Sequence, residues 1–276
     1  MNGSGARPGS ALRVAVVGAG GAGMKIVEAL DAGIPGCELA AVSVRSRETA
    51  PERFAHLGRP VPVLAISELE PVADVVVECA PAALFRAIAE PVLRAGKMVV
   101  ALSAGAILSN GDLVELARAA GGRIVVPTGA LVGLDAVAAA AEGTIRSVRM
   151  VTRKPVRGLA GAPYLLEHGI RVEEITEPLM VFKGTARQAA TGFPANLNVA
   201  VALSLAGIGP DRTELEIWAD PALERNCHTI EVDADSARFS MSIENVPSEN
   251  PKTGRITALS VIACLRKLAA PLRVGT

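Results

Sequence analysis

The run Val14-Ala15-Val16-Val17, followed at once by Gly18-Ala19-Gly20-Gly21-Ala22-Gly23, constrains this chain more than any other stretch. Four consecutive apolar residues ask for burial on both faces, which a central strand of a parallel sheet provides. Glycines 18, 20 and 23 have G-x-G-x-x-G spacing, and Met24-Lys25-Ile26-Val27-Glu28-Ala29-Leu30 continues as a helix. Strand, turn and helix in that order make a phosphate cradle. Gly18 permits the tight turn, Gly20 lets a pyrophosphate reach the backbone, and Gly23 lets the helix close on the strand. Free N–H groups at the helix start then face the phosphates. Small residues also make tight turns for packing alone, but the order and the position near the N-terminus favour a dinucleotide. The expected contacts are Gly18, Gly20, Gly21, Ala22 and Gly23.

The chain has 276 residues, half of them hydrophobic, enough for one large domain or two modest ones. Its 28 basic and 28 acidic residues balance, which argues against a nucleic-acid partner. No apolar run reaches membrane-spanning length, and Met1 to Ser10 lack the apolar core of a signal peptide. Cys37, Cys79, Cys227 and Cys264 are scattered without a C-x-x-C pair, as expected of free thiols in a reducing cytoplasm. No His, Cys, Asp and Glu cluster has metal-ligand spacing and no G-x-S-x-G elbow occurs, so neither metal nor acyl-enzyme chemistry is expected.

Apolar strands at Glu38–Val44, Asp74–Cys79, Met98–Leu102 and Arg123–Val126 alternate with helical segments at Ala82–Leu93 and Asn110–Ala120. That alternation is the mark of a doubly wound, Rossmann-type parallel sheet. Ligands of such sheets sit at the carboxyl ends of the strands. Cys79, Ala80 and Pro81, then Ser103 and Ala104, then Thr128-Gly129-Ala130 should therefore edge the cofactor. The second strand ends in Ser43-Val44-Arg45-Ser46-Arg47, with no carboxylate to accept from a ribose 2′-hydroxyl. Arg45, Ser46 and Arg47 could instead hold a 2′-phosphate, so the expected cofactor is NADP, NAD or both.

Beyond residue 132 the style changes. Ile145–Arg153 alternates apolar and charged residues, and Thr213–Ala219, His228–Asp233 and Ala237–Glu244 repeat the pattern of strands with one wet face. A helix is expected over Pro194–Ala206, and a last one over Gly254–Leu268 that packs back on the first domain. The fold class is thus α/β: a Rossmann-type parallel-sheet domain (1–132 and 250–276) plus a smaller α+β domain (133–249). The latter, with an antiparallel sheet, would serve substrate binding and dimerisation. Of the three histidines, His56 and His168 read as surface residues, whereas His228, at the start of an expected strand, is either a satisfied structural histidine or an acid or base near neutrality. Asn196 and Asn198 lie in the first turns of the Pro194 helix, where amides cap the helix or meet a polar ligand. Lys252 and Thr253, in the polar loop 244–254, suit a carboxylate, as does a cation from the Arg153-Lys154 strand end.

Taken together, Gly192-Phe193-Pro194-Ala195-Asn196-Leu197-Asn198, Asn226-Cys227-His228-Thr229-Ile230-Glu231 and Glu244-Asn245-Val246-Pro247-Ser248-Glu249-Asn250-Pro251-Lys252-Thr253-Gly254 closely resemble the L-aspartate dehydrogenase family. Thr128-Gly129-Ala130-Leu131-Val132-Gly133-Leu134-Asp135 resembles its loop after the last cofactor-domain strand. The resemblance implies reversible oxidation of L-aspartate to iminoaspartate, which hydrolyses to oxaloacetate and ammonia or feeds NAD biosynthesis. It implies His228 as the catalytic residue, nicotinamide contacts at Ala130 and Asn196, and a cytoplasmic homodimer. Asn198, Asn226, Lys252 and Thr253 are the expected substrate contacts. Lys183 stands where an acidic residue is expected and Val132 where a small one is, which would affect specificity if either lined the substrate pocket. Other readings are a homoserine-dehydrogenase-like or dihydrodipicolinate-reductase-like enzyme, or a non-catalytic NAD(P)-binding sensor.

Overall fold

The computed structural model describes residues 11–194, 197–248 and 254–275, and the chain divides into two compact units. The first runs to Pro127 and takes in Ala258–Val274; the second is Thr128–Thr257. In the first unit β1 (Leu12–Val17), β2 (Cys37–Ser43), β3 (Val75–Glu78), β4 (Met98–Ala101) and β5 (Arg123–Val125) are all parallel, in the order β2-β1-β3-β4-β5. Alternate residues of β1 feed two apolar layers. Val14 and Val16 pack with Ile26, Val27 and Leu30 of the helix Gly21–Gly33, and with Ala258, Val261 and Leu265 of the helix Ile256–Ala269. Ala15 and Val17 pack with Phe85, Ile88 and Val92 of the helix Phe85–Arg94 and with Leu113. Both faces are covered, as the unbroken apolar run requires. The final helix thus joins the first unit's core.

The second unit is built on β6 (Ile145–Lys154), β7 (Leu179–Thr185), β8 (Thr213–Ala219), β9 (Asn226–Ala234) and β10 (Arg238–Asn245), in the order β10-β9-β6-β8-β7. The sheet is mixed where antiparallel pairing throughout was expected: β6 and β8 run parallel and the other neighbours antiparallel. One-sided burial reads the same for either direction, so the alternation could not tell them apart. Strand β7 is an addition to the expected set. The helix expected from Pro194 begins at Asn198 (Asn198–Ala206), and a separate helix, Ala186–Gly192, precedes it. Phe193 closes that earlier helix and is buried against Tyr164 and Phe182 at centroid distances of 5.3 and 5.7 Å. Pro194 follows this aromatic anchor as a turn residue.

The β1 turn sets the geometry of the first unit. Gly18 has φ +88°, a left-handed conformation that L side chains rarely adopt, and a Cβ there would lie 2.6 Å from the Cys79 carbonyl oxygen. A Cβ on Gly23 would lie 1.9 Å from the Gly18 carbonyl oxygen, so only glycine allows this helix–strand approach. At Gly20 and Gly21 a Cβ would meet nothing within 4 Å. Gly23→Ala is therefore expected to lose about 1–3 kcal/mol or more of unfolding free energy. Gly20→Ala should stay within about 0.5 kcal/mol of wild type. Urea denaturation of the two variants checks this, and equal losses would contradict it.

Candidate functional site

At the carboxyl end of the first sheet, the helix Gly21–Gly33 begins without a side-chain cap and without an acidic residue in its first turn. Its leading N–H groups remain available to an anion, and the open space over Gly20 and Gly21 is where side chains would obstruct one. This cradle fits a dinucleotide's pyrophosphate. The Arg53 guanidinium donates to the Ala19 carbonyl oxygen, inside the glycine turn. The Gly18 N–H donates to the Ser43 carbonyl at 2.8 Å, which joins the turn to the end of β2. Arg45, Ser46 and Arg47 follow there, all exposed. Arg47 pairs with Glu68 at 2.8 Å.

Two of the expected cofactor loops are tied together by a residue the sequence reading missed. Glu78, the last residue of β3, is fully buried. One carboxylate oxygen accepts from the Ala80 N–H and the Ser103 hydroxyl, each at 3.0 Å; the other accepts from the Ser103 N–H at 2.9 Å. Burial raises its pKa, and the donors from Ser103, Ala80 and Leu102 oppose that rise. The clamp fixes Cys79-Ala80 against Ser103-Ala104, while Pro81 is exposed on the same loop. A carboxylate closing the otherwise apolar strand Val75–Glu78 was the available signal.

In the second unit, the buried face of the sheet changes character along its length. On β6 the inward residues are Val148, Met150, Thr152 and Lys154; on β9 they are Val232, Ile230, His228 and Asn226. Thr152 is paired with His228, His228 in turn with Ile243, and Asn226 with Asn245. His228 is 3 % exposed, and its Nδ1 lies 3.2 Å from the Thr152 hydroxyl oxygen. Burial, aided by the charge of Lys154, lowers its pKa to about 3, so the imidazole is neutral at pH 7. Asn245 donates from Nδ2 to the Ala130 carbonyl at 2.9 Å and so holds the Ala130 loop to the end of β10. Thr152 and Asn245 were absent from the expected site residues, and Lys154 was named only jointly with Arg153 as a candidate cation. Their signal was phase: they continue the inward positions of their strands as polar residues.

Of the expected substrate contacts, Asn226 lies on this face, while Asn198 is exposed at the start of its helix. Asn196, Lys252 and Thr253 lie outside the described residues. Lys183 is corrected by the register: it pairs with Glu216 on the opposite face of the sheet, 3.3 Å between Nζ and Oε1. Arg149 and Glu231 extend that ion-pair row at 3.1 and 3.0 Å. The concern that Lys183 lines the pocket therefore fails, because the residue points away from His228. His56 and His168 are exposed, the first beside Glu28 and the second stacked on Tyr164.

The lowered pKa of His228 has a consequence for folding. The unfolded chain takes up the proton near the ordinary value of about 6.5, whereas the folded chain resists it until about pH 3. Stability should therefore be complete above pH 6.5 and fall as the pH drops through that window. Between pH 7 and pH 4.5 this one group should cost wild type roughly 2–3 kcal/mol that His228→Asn does not lose. Urea melts at both pH values measure the difference, and an equal acid loss in both proteins would mean that the imidazole titrates normally.

Comparison with known proteins agrees with both halves of this description. A family model described as homoserine dehydrogenase, NAD binding domain, matches residues 18–127, and one described as aspartate dehydrogenase, C-terminal, matches residues 135–268. L-aspartate dehydrogenase from Bradyrhizobium diazoefficiens is 62 % identical over 97 % of this chain and 95 % of its own length. L-aspartate dehydrogenase 3 from Bordetella bronchiseptica is 58 % identical over 96 % and 98 %. The crystal structure of aspartate dehydrogenase from Thermotoga maritima shares the fold with TM-score 0.74 at 22 % identity, covering 96 % of this chain and 99 % of its own. Similarity of this degree over nearly the whole length means that the chain belongs to the L-aspartate dehydrogenase family.

Proposed function

We propose that this chain catalyses the reversible NAD(P)-dependent oxidation of L-aspartate to iminoaspartate, which hydrolyses to oxaloacetate and ammonia. One observation carries the reading: a buried imidazole held against the Thr152 hydroxyl, in a chain whose relatives are L-aspartate dehydrogenases. Oxidation breaks the Cα–H bond, forms C=N and releases one proton from the amine. When bound, the nicotinamide supplies the acceptor for the Cα hydride. His228 takes the amine proton. In the tautomer whose Nδ1–H donates to the Thr152 hydroxyl, Nε2 is the accepting atom, and Thr152 then acts as a positioning residue. Water added across C=N releases ammonia, and in the reverse direction the imidazolium returns its proton to the amine nitrogen.

The dinucleotide is held at the glycine turn, by Gly18, Gly20, Gly21, Ala22 and Gly23, with Arg45, Ser46 and Arg47 toward a 2′-phosphate. Cys79, Ala80, Pro81, Ser103 and Ala104 edge the nicotinamide half, with Ala130 and Asn196 as the contacts that the family resemblance implies. Asn198, Asn226, Lys252 and Thr253 are the substrate contacts. The same reading includes a homodimer in the cytoplasm, with the imine available to NAD biosynthesis.

Oxaloacetate and ammonium mixed with the protein should consume NADH, and NADPH in a parallel reaction, as loss of nicotinamide absorbance. His228→Ala should lower kcat by at least ~100-fold while NADH binding stays roughly unchanged. Absence of turnover in the wild type with both cofactors would overturn the reading; full turnover in the variant would remove His228 from it.

A further inference from the structure

We propose that Lys154 is the anchor for a carboxylate of the substrate, an inference that rests on the aspartate reading above. Lys154 is the last residue of β6 and is 3 % exposed. Because Thr152 pairs with His228, continuing the antiparallel register by two residues sets Lys154 beside Asn226 at the start of β9. Asn226 pairs in turn with Asn245 on β10. Lys154, Asn226 and Asn245 thus form one row across three strands, about 7 Å along the strands from the row that holds His228. An amino dicarboxylate spans a distance of that order.

The row is built for a ligand rather than for packing. The Oδ1 atoms of both Asn226 and Asn245 are buried and have no hydrogen-bond partner among the described residues. The amide of Asn245 is oriented by its bond to the Ala130 carbonyl, so its unpaired atom is the acceptor. Buried acceptors are retained unpaired where something outside the fold satisfies them. A buried ammonium beside two such acceptors complements a molecule that carries both carboxylate and N–H groups. The neighbouring cation Arg153 cannot take this part. It lies on the opposite face, with its guanidinium 4.7 Å over the Trp218 ring and 3.7 Å from Asp220. The charge of Lys154 also helps to keep His228 neutral, which puts the ammonium within electrostatic reach of the base.

The test is steady-state reductive amination by wild type, Lys154→Met and Lys154→Arg, with melting curves for each. Lys154→Met should raise the KM for oxaloacetate by at least ~30-fold, with kcat changed little and NADH affinity unchanged. A merely structural role would instead lower kcat, NADH affinity and thermal stability together. Should Lys154→Met not fold, Lys154→Arg decides: its displaced charge should raise the oxaloacetate KM at least ~5-fold without moving NADH affinity. An oxaloacetate KM within about twofold of wild type in the folded variant overturns the assignment. If wild type itself fails to turn over oxaloacetate, the aspartate reading falls and this inference with it; failure of the variants alone removes only Lys154.

Discussion

Burying polar side chains costs free energy unless partners replace the water they lose. The second sheet does so at one end of an otherwise apolar face, with Thr152, Lys154, Asn226, His228 and Asn245 all below a tenth exposed. A fold selected for stability alone would continue Val148 and Met150 with further aliphatics. The interruption by hydroxyl, ammonium, imidazole and two amides marks the place where stability gives way to chemistry. Burial also does chemical work: it strips the proton from His228 and leaves a neutral ring oriented by Thr152.

The first unit solves a different problem, which is to present backbone to an anion. Gly18 and Gly23 are glycines because the protein's own atoms leave no room for a Cβ, whereas Gly20 and Gly21 face open space. The distinction separates the residues that shape the turn from those that leave room for the ligand. Glu78 then locks the next two loops to each other with three hydrogen bonds to a single carboxylate. Arg53 braces the turn from a segment remote in sequence.

Most of the first unit was legible because its signals are local. An apolar run of strand length, a glycine turn and a helical period occur in contiguous residues, and the sheet follows from their alternation. In the second unit the sequence singled out His228 and the Arg153-Lys154 strand end, and family resemblance pointed to Asn226, but how these residues come together was not readable. Whether Lys154 or Arg153 points inward depends on strand phase over the whole of β6, and the parallel pairing of β6 with β8 depends on chain reversals outside both. Lys183 misled for the same reason, because a one-residue change of phase moves a side chain to the other face. Glu78 and Asn245 act through backbone groups of distant loops, which no spacing rule encodes.

The proposed chemistry depends most on the state of one ring: His228 neutral, protonated at Nδ1 and free to accept at Nε2. Nitrogen NMR of protein labelled with ¹⁵N in its histidine rings, at pH 7, reads both features from the two nitrogen shifts, with His228→Asn identifying the signals. The predicted result is a neutral imidazole whose Nδ1 carries the proton. An imidazolium, or a neutral ring protonated at Nε2, would contradict the assignment of His228 as the base.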